Sequence, residues 1–300
     1  MPDAFRGTHT ALVTPFAADG SVDETELRAL VRRQVDGGVS GIVACGTTGE
    51  AATLSRDEQI RVIEIVQEEA DGRVAVTAGA GGNATADVLE FLSRLEPIKL
   101  DAVLCVVPYY NKPTPAGMLA HFRALADAAP APVMLYNVPG RTARNMPADV
   151  TLALAEHPNI GGVKEASGDL DQVGHILRDA PRRFSVLSGD DSLTLPMMVL
   201  GALGVVSVVS NIDPDRMSRL VGAARASDWD EARRLHHELS RLMSLCFIES
   251  NPIPVKAAVA MMGYCAERYR LPMVPLEEKN RPALDAELRR LRLVQAGVTR

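Results

Sequence analysis

Only five of the 32 basic residues in this 300-residue chain are lysines, at positions 99, 112, 164, 256 and 279. The chain uses arginine where it needs a surface cation. A lysine in an apolar setting therefore asks for a chemical reason, because lysine, unlike arginine, readily loses its proton and condenses with a ketone. Lys164 has that setting. It follows Ile160, Gly161, Gly162 and Val163, a run that reads as a short buried strand, and it precedes Glu165, Ala166 and Ser167. Burial disfavours an ammonium and leaves an amine able to attack a carbonyl carbon. The resulting Schiff base is an electron sink, which makes the neighbouring carbon acidic and ready for carbon–carbon bond making or breaking. The plainer alternative is a strand-end lysine that is solvated or paired with Glu165.

Groups suited to moving protons and holding anions fall in other short loops. In Gly46, Thr47, Thr48, Gly49 and Glu50, two glycines let the backbone turn tightly and two hydroxyls are placed to donate. Tyr109 and Tyr110 lie in a loop that runs from Pro108 to Pro113, and Tyr136 ends an apolar run. With aromatics at 4% of the chain, three of its five tyrosines stand at expected strand ends, where phenols serve as acid–base groups. Arg141, beside Pro139 and Gly140, suits bidentate capture of a carboxylate. The pair Asp190 and Asp191 suggests a metal at first sight. No third carboxylate or histidine accompanies it on a neighbouring strand end, so helix N-capping by Asp190 or Asp191 is the better account and no metal is expected.

These loops are positioned by a regular alternation. Short apolar or β-branched runs at 8–13, 41–45, 74–78, 102–107, 133–136, 160–164, 185–188 and 205–209 are each followed by a helix-period segment, which implies βα units and a parallel sheet. Eight such strands close a (β/α)8 barrel, a TIM barrel, whose usual size is about 250 residues and whose chemistry sits at the C-terminal ends of the strands. Helix starts are marked by Ser55 with Glu58 as a capping box, by Thr114 before Pro115, by Asp213 before Pro214, and by Asp228 with Glu231. From 228 onward the alternation stops. Three helices are expected there, at 228–247, 254–267 and 280–294, so the chain divides into a catalytic barrel over 1–227 and a C-terminal three-helix extension over 228–300.

Composition excludes several classes. An apolar content of 47%, a mean hydropathy near zero and the lack of an apolar run near 18 residues argue against a membrane span. The N-terminal stretch lacks the basic, apolar and small-residue regions of a signal peptide. A net charge of -6 with no basic run argues against a nucleic-acid partner. Cys45, Cys105, Cys246 and Cys265 are widely spaced in apolar contexts and read as reduced core residues of a cytoplasmic protein. The histidines at 9, 121, 157, 175, 236 and 237 are scattered and read as surface residues, with His236 and His237 on an exposed polar helix.

The motifs GTTGE at 46–50, PYYNKP at 108–113, YNVPGRT at 136–142, GVKEAS at 162–167, SGDD at 188–191 and NPIPVK at 251–256 resemble, in order and over nearly the whole chain, the dihydrodipicolinate synthase family. That family belongs to the pyruvate-dependent aldolases, which also include N-acetylneuraminate lyase. The resemblance implies a (β/α)8 barrel with helical extension that condenses pyruvate with aspartate semialdehyde in lysine and diaminopimelate biosynthesis, with no cofactor beyond the covalent Schiff base. Carried over by position, Lys164 forms that Schiff base, Tyr136 is the acid–base group beside it, Thr47 links it in a proton relay, and Tyr110 completes the relay from a neighbouring subunit. Thr48 holds the pyruvate carboxylate, Arg141 recruits the carboxylate of the semialdehyde, and Gly189 with Val206 shapes the pocket. A homotetramer built as a dimer of dimers is implied. A lysine-binding regulatory pocket would correspond to Ala51, Ala52, Arg56, Gln59, Asn83, Asp87 and Tyr109, with the cation of Arg56 opposing the ligand's ammonium. Two alternatives stay open at this point: a sibling aldolase acting on another 2-keto acid, and a barrel that binds a ligand without turning it over.

Overall fold

The computed structural model describes residues 3–294. Eight strands, β1 (Gly7–Ala11), β2 (Gly41–Ala44), β3 (Ala75–Gly79), β4 (Ala102–Val106), β5 (Val133–Asn137), β6 (Ile160–Glu165), β7 (Ser185–Ser188) and β8 (Gly204–Ser207), form a closed barrel in chain order. Every pair is parallel, and β8 returns to β1 with Gly204 opposite Gly7. The strands are almost wholly buried, as a parallel sheet covered by helices requires, which is why they read as continuous apolar runs.

The helices between them are α1 (Glu24–Asp36), α2 (Arg56–Ala70), α3 (Thr85–Leu95), α4 (Pro115–Ala128), the single turn α5 (Pro139–Thr142), α6 (Ala148–Ala155), α7 (Leu170–Asp179), α8 (Thr194–Leu200) and α9 (Pro214–Arg225). Their starts follow local chemistry. The Ser55 hydroxyl accepts from the Glu58 amide at 3.2 Å while the Glu58 carboxylate accepts from the Ser55 amide at 2.8 Å. Thr114 caps Gly117 and Asp213 caps Arg216, each just ahead of a proline in the first turn.

Two apolar layers follow from this arrangement. Inside the barrel, Val43, Leu104, Met134, Tyr136, Leu187 and Val206 meet one another, while a larger layer fills the space between strands and helices. The larger layer runs without a break into the C-terminal helices α10 (Trp229–Leu245), α11 (Ile253–Met261) and α12 (Arg281–Arg290), through Leu235, Val255 and Leu284.

Several expectations are corrected. Strand β8 stops at Ser207, because the amides of Val208 and Val209 donate to the Asp191 carboxylate at 2.9 and 3.0 Å and a 3-10 turn begins there. Helix α11 ends at Met261 and not at 267, with Gly263 in the left-handed region at φ 81°. Helix α12 spans ten residues, not the whole of 280–294, and positions 295–300 of the expected extension lie outside the described residues. His9 and His121 are buried, not on the surface. His9 lies against Gly41, and among the described residues its ring has one hydrogen-bond partner, the Arg6 carbonyl at 2.9 Å, to which Nε2 donates. His236 is half-buried, while His237 is exposed as expected. The four cysteines are free and buried, and no helix among the described residues is long and apolar enough to cross a membrane.

Candidate active site

Lys164 is the fifth residue of β6, directly opposite Tyr136 of β5. Residues in register on parallel neighbours point to the same side, and here both point into the barrel at its C-terminal end. The Lys164 ammonium stands 4.0 Å from the centroid of the Tyr136 ring. Only 6% of the residue is exposed. The pairing with Glu165 that would have explained this lysine away is not made. The Glu165 carboxylate turns outward, accepting from Asn137 Nδ2 at 3.0 and 3.1 Å and from the Ser167 amide at 2.8 Å.

The other side of the lysine is shaped by the end of β7. A Cβ placed on Gly189 would lie 3.1 Å from both Cγ and Cε of Lys164 and 2.7 Å from Cβ of Ala166, so glycine is what lets the lysine stem lie flat against this loop. Val206 on β8 is fully buried and packs in the same interior layer as Tyr136. The aspartates divide the work: Asp190 caps the turn at Asp191–Leu193 by accepting from Ser192, whereas Asp191 is buried and accepts from Ser207 Oγ at 2.5 Å as well as from the two amides after β8. Burial holds the Asp191 carboxyl above the usual carboxylate range, against the pull of those bonds.

The loop after β2 brings in the hydroxyls. Thr47 is exposed, while Thr48 is buried and its Oγ1 accepts from Asn251 Nδ2 at 2.9 Å. The Asn251 carbonyl in turn accepts from Arg141 Nη2 at 3.2 Å. One residue of the C-terminal region thus ties the threonine loop to the arginine loop. A second tie lies underneath: Glu50, at φ 53°, forms an ion pair with Lys256 of α11, and Lys256 also donates to the Arg268 carbonyl at 2.9 Å. Desolvation pulls the Lys256 ammonium below the usual lysine range, opposed by Glu50. Neither Asn251 nor Lys256 was assigned a role from sequence. The signal was present in part, since Lys256 is one of only five lysines and both lie in the NPIPVK motif.

A cleft of about 650 Å³ opens above these groups. Thr47, Tyr136, Arg141 and Asn251 line it; Lys164 is not itself on the wall but lies against the Tyr136 ring that is. The expected regulatory residues Ala51, Ala52, Arg56, Gln59, Asn83, Asp87 and Tyr109 all line the same cleft. Arg56 is held there by the Phe91 ring, 4.3 Å from its guanidinium, and by donation to Gln59 Oε1 at 2.8 Å. Tyr110 is not brought to the site. It is 89% exposed at φ 73°, on a loop pinned by donation from Asn111 Nδ2 to the Asn83 carbonyl.

The fold and this geometry define a class: a (β/α)8 barrel that shelters an amine, beside a phenol, at the C-terminal end of its sixth strand. The model of the dihydrodipicolinate synthetase family matches residues 4–291, and the chain belongs to that family. It is 49% identical to a 4-hydroxy-tetrahydrodipicolinate synthase of Pelobacter propionicus over 97% of this chain and 100% of that one. Among solved structures it is similar to dihydrodipicolinate synthase from Aquifex aeolicus, at 42% identity and TM-score 0.94, covering 96% of this chain and 99% of that one. It is also similar to the chloride-inhibited enzyme from Acinetobacter baumannii complexed with pyruvate, at 40% identity and TM-score 0.95, covering 97% and 100%.

Proposed function

We propose that this chain condenses pyruvate with aspartate 4-semialdehyde to give 4-hydroxy-tetrahydrodipicolinate, the reaction named for its relatives. The observation that carries this reading is the sheltered Lys164 amine against the Tyr136 ring, in a barrel that matches the family along nearly its whole length. The amine attacks the keto carbon of pyruvate, water leaves, and a Schiff base forms. Loss of a methyl proton gives an enamine, whose carbon attacks the aldehyde. The amino group of the semialdehyde then attacks the Schiff-base carbon, closing the ring and releasing Lys164. Tyr136 moves protons at this centre with Thr47 and Tyr110 as the relay. Thr48 holds the pyruvate carboxylate, Arg141 the carboxylate of the second substrate, and Gly189 and Val206 shape the space between. The covalent Schiff base does the work, and the chain's own groups suffice without a resident cofactor.

The same reading makes Tyr110 the contribution of a neighbouring subunit, in a homotetramer arranged as a dimer of dimers in the cytoplasm. A phenol that is 89% exposed on a pinned loop is suited to reach into a partner's site. Residues 1–227 act as the catalytic barrel and 228–300 as its extension. The test is turnover of pyruvate and aspartate semialdehyde coupled to an excess of the reductase that consumes the product, with Lys164→Ala as control. Rapid turnover that vanishes in the control supports the reading. Absence of turnover with intact borohydride trapping of pyruvate on Lys164 would move the assignment to a sibling aldolase.

A further inference from the structure

Strands β5 and β6 are out of simple register at their lower ends. Val133 stands opposite Ile160, but Met134 stands opposite Gly162, so Gly161 is an extra residue in β6. Two successive glycines leave this stretch without side chains of its own to fix it, and Phe5 occupies the space: a Cβ on Gly161 would lie 2.5 Å from Phe5 Cζ. Glycine-rich strands are those whose register is weakly specified, and a slip of one residue sends each side chain to the opposite face. For β6 such a slip would present Val163 or Glu165 to the barrel interior where Lys164 stands.

Beyond the irregularity the register resumes, with Tyr136 opposite Lys164 and Asn137 opposite Glu165. The first couple faces inward and the second outward. Asn137 Nδ2 donates to both Glu165 oxygens and, at 2.7 Å, to Asn145 Oδ1, while Asn137 Oδ1 accepts from the Met146 amide at 2.9 Å. Glu165 accepts further from Gln172 Nε2 at 3.2 Å. Both residues are essentially inaccessible, at 0% and 1% exposure, and the donors the carboxylate finds are neutral. Desolvation accordingly holds the Glu165 carboxyl above the usual range, with its hydrogen bonds opposing. A buried carboxyl that meets all its donors in one register, and would be stranded in any other, makes the wrong register costly.

We propose that the side-chain bond between Asn137 and Glu165 is the register lock of this site: it fixes β6 against β5 so that Lys164 is the side chain presented to Tyr136. Both are positioning residues. The catalytic consequence rests on the reading of Lys164 as nucleophile; the lock itself does not. Near-isosteric variants test it on the full-length protein. Asn137→Asp sets two carboxyls against each other. Glu165→Gln keeps one oxygen for Ser167 and Asn137 but turns an NH2 toward the Asn137 and Gln172 amide donors in place of the other. The double variant gives that NH2 a carboxylate to donate to, with the partners exchanged.

Each single variant is expected to slow both kcat and borohydride trapping of pyruvate by about 10- to 100-fold, as a small displacement of a reacting group does. Amide hydrogen exchange over 160–166 is expected to accelerate in both. The double variant should recover at least about tenfold of each loss, the signature of a coupled pair. Single variants with kcat and exchange indistinguishable from the parent, or a double variant no better than the worse single, would overturn the proposal. Recovery of exchange without recovery of rate would overturn its catalytic half. If the parent's borohydride adduct maps to another lysine, the nucleophile reading fails, while the exchange measurements still decide the lock.

Discussion

Lys256 and Glu50, 206 positions apart in sequence, meet as an ion pair with both side chains essentially removed from solvent, directly beneath the loop that carries Thr47 and Thr48. The rings of Phe16 and Tyr269 lie 4.3 and 5.1 Å from the same ammonium. Removing one partner leaves the other charge buried and uncompensated. Lys256→Met is therefore expected to destabilise the protein by about 3–5 kcal/mol, and Lys256→Met with Glu50→Gln by much less, because a neutral replacement of both charges removes the stranded carboxylate. Chemical denaturation of both variants measures this. A single variant as stable as the parent would show that the pair does not hold the loop.

Gly189→Ala places a methyl group 3.1 Å from the Lys164 stem and 2.7 Å from Ala166. Ala166 must shift, and the lysine stem must give by a few tenths of an ångström. Steady-state kinetics should show kcat reduced by about tenfold or more with little change in melting temperature, since a displaced nucleophile costs rate before it costs stability. An unchanged kcat would mean that the lysine stem has room to shift without consequence.

Arg56 is held on the cleft wall by Phe91 and Gln59, and if lysine bound in the regulatory pocket the resemblance implies, this cation would oppose its ammonium. Free lysine is expected to inhibit weakly or not at all, and Arg56→His to make inhibition stronger by removing the permanent charge. A lysine titration of the parent that reaches full inhibition at micromolar concentration would refute this.

His121 is buried on α4, with Nδ1 in a hydrogen bond to Thr85 Oγ1 at 2.9 Å and Nε2 buried without a partner. Desolvation lowers its pKa to about 4. The folded state thus favours the neutral ring: this stabilisation is complete above the ordinary histidine value and is lost as pH falls from about 6.5 through 4, amounting to at most about 3 kcal/mol. His121→Gln, which keeps a partner for Thr85, should show a flatter loss of stability across that window in pH-dependent melts. Parallel curves for the two proteins would remove His121 from the acid response.

The barrel was legible because parallel strands covered on both faces must be short, apolar and regularly spaced, and the observed ends lie within two residues of those expected. What failed was set by distant contacts. Nothing near Val208 announces that Asp191 will take its amide, so β8 read two residues too long. His9 was legible and misjudged: it lies within the run read as the first strand, and a period of two places it on the same inward face as Ala11. The chemistry-bearing side chains stood out by type, since a lysine among apolar residues and tyrosines at strand ends are rare here. The groups that hold them lay in the motifs but carried no sign of that role. Asn137, Glu165, Asn251 and Glu50 look like ordinary polar residues until the fold brings their partners to them.

Thr47, Arg141, Arg56 and Asp87 line a single cleft, and Ala51 and Ala52 of the turn at Ala51–Thr53 line it with them. A larger side chain at Ala51 takes room from the same cleft that Thr47 and Arg141 line. The cleft therefore behaves as one volume, and a change of bulk anywhere on its wall is felt by whatever it holds.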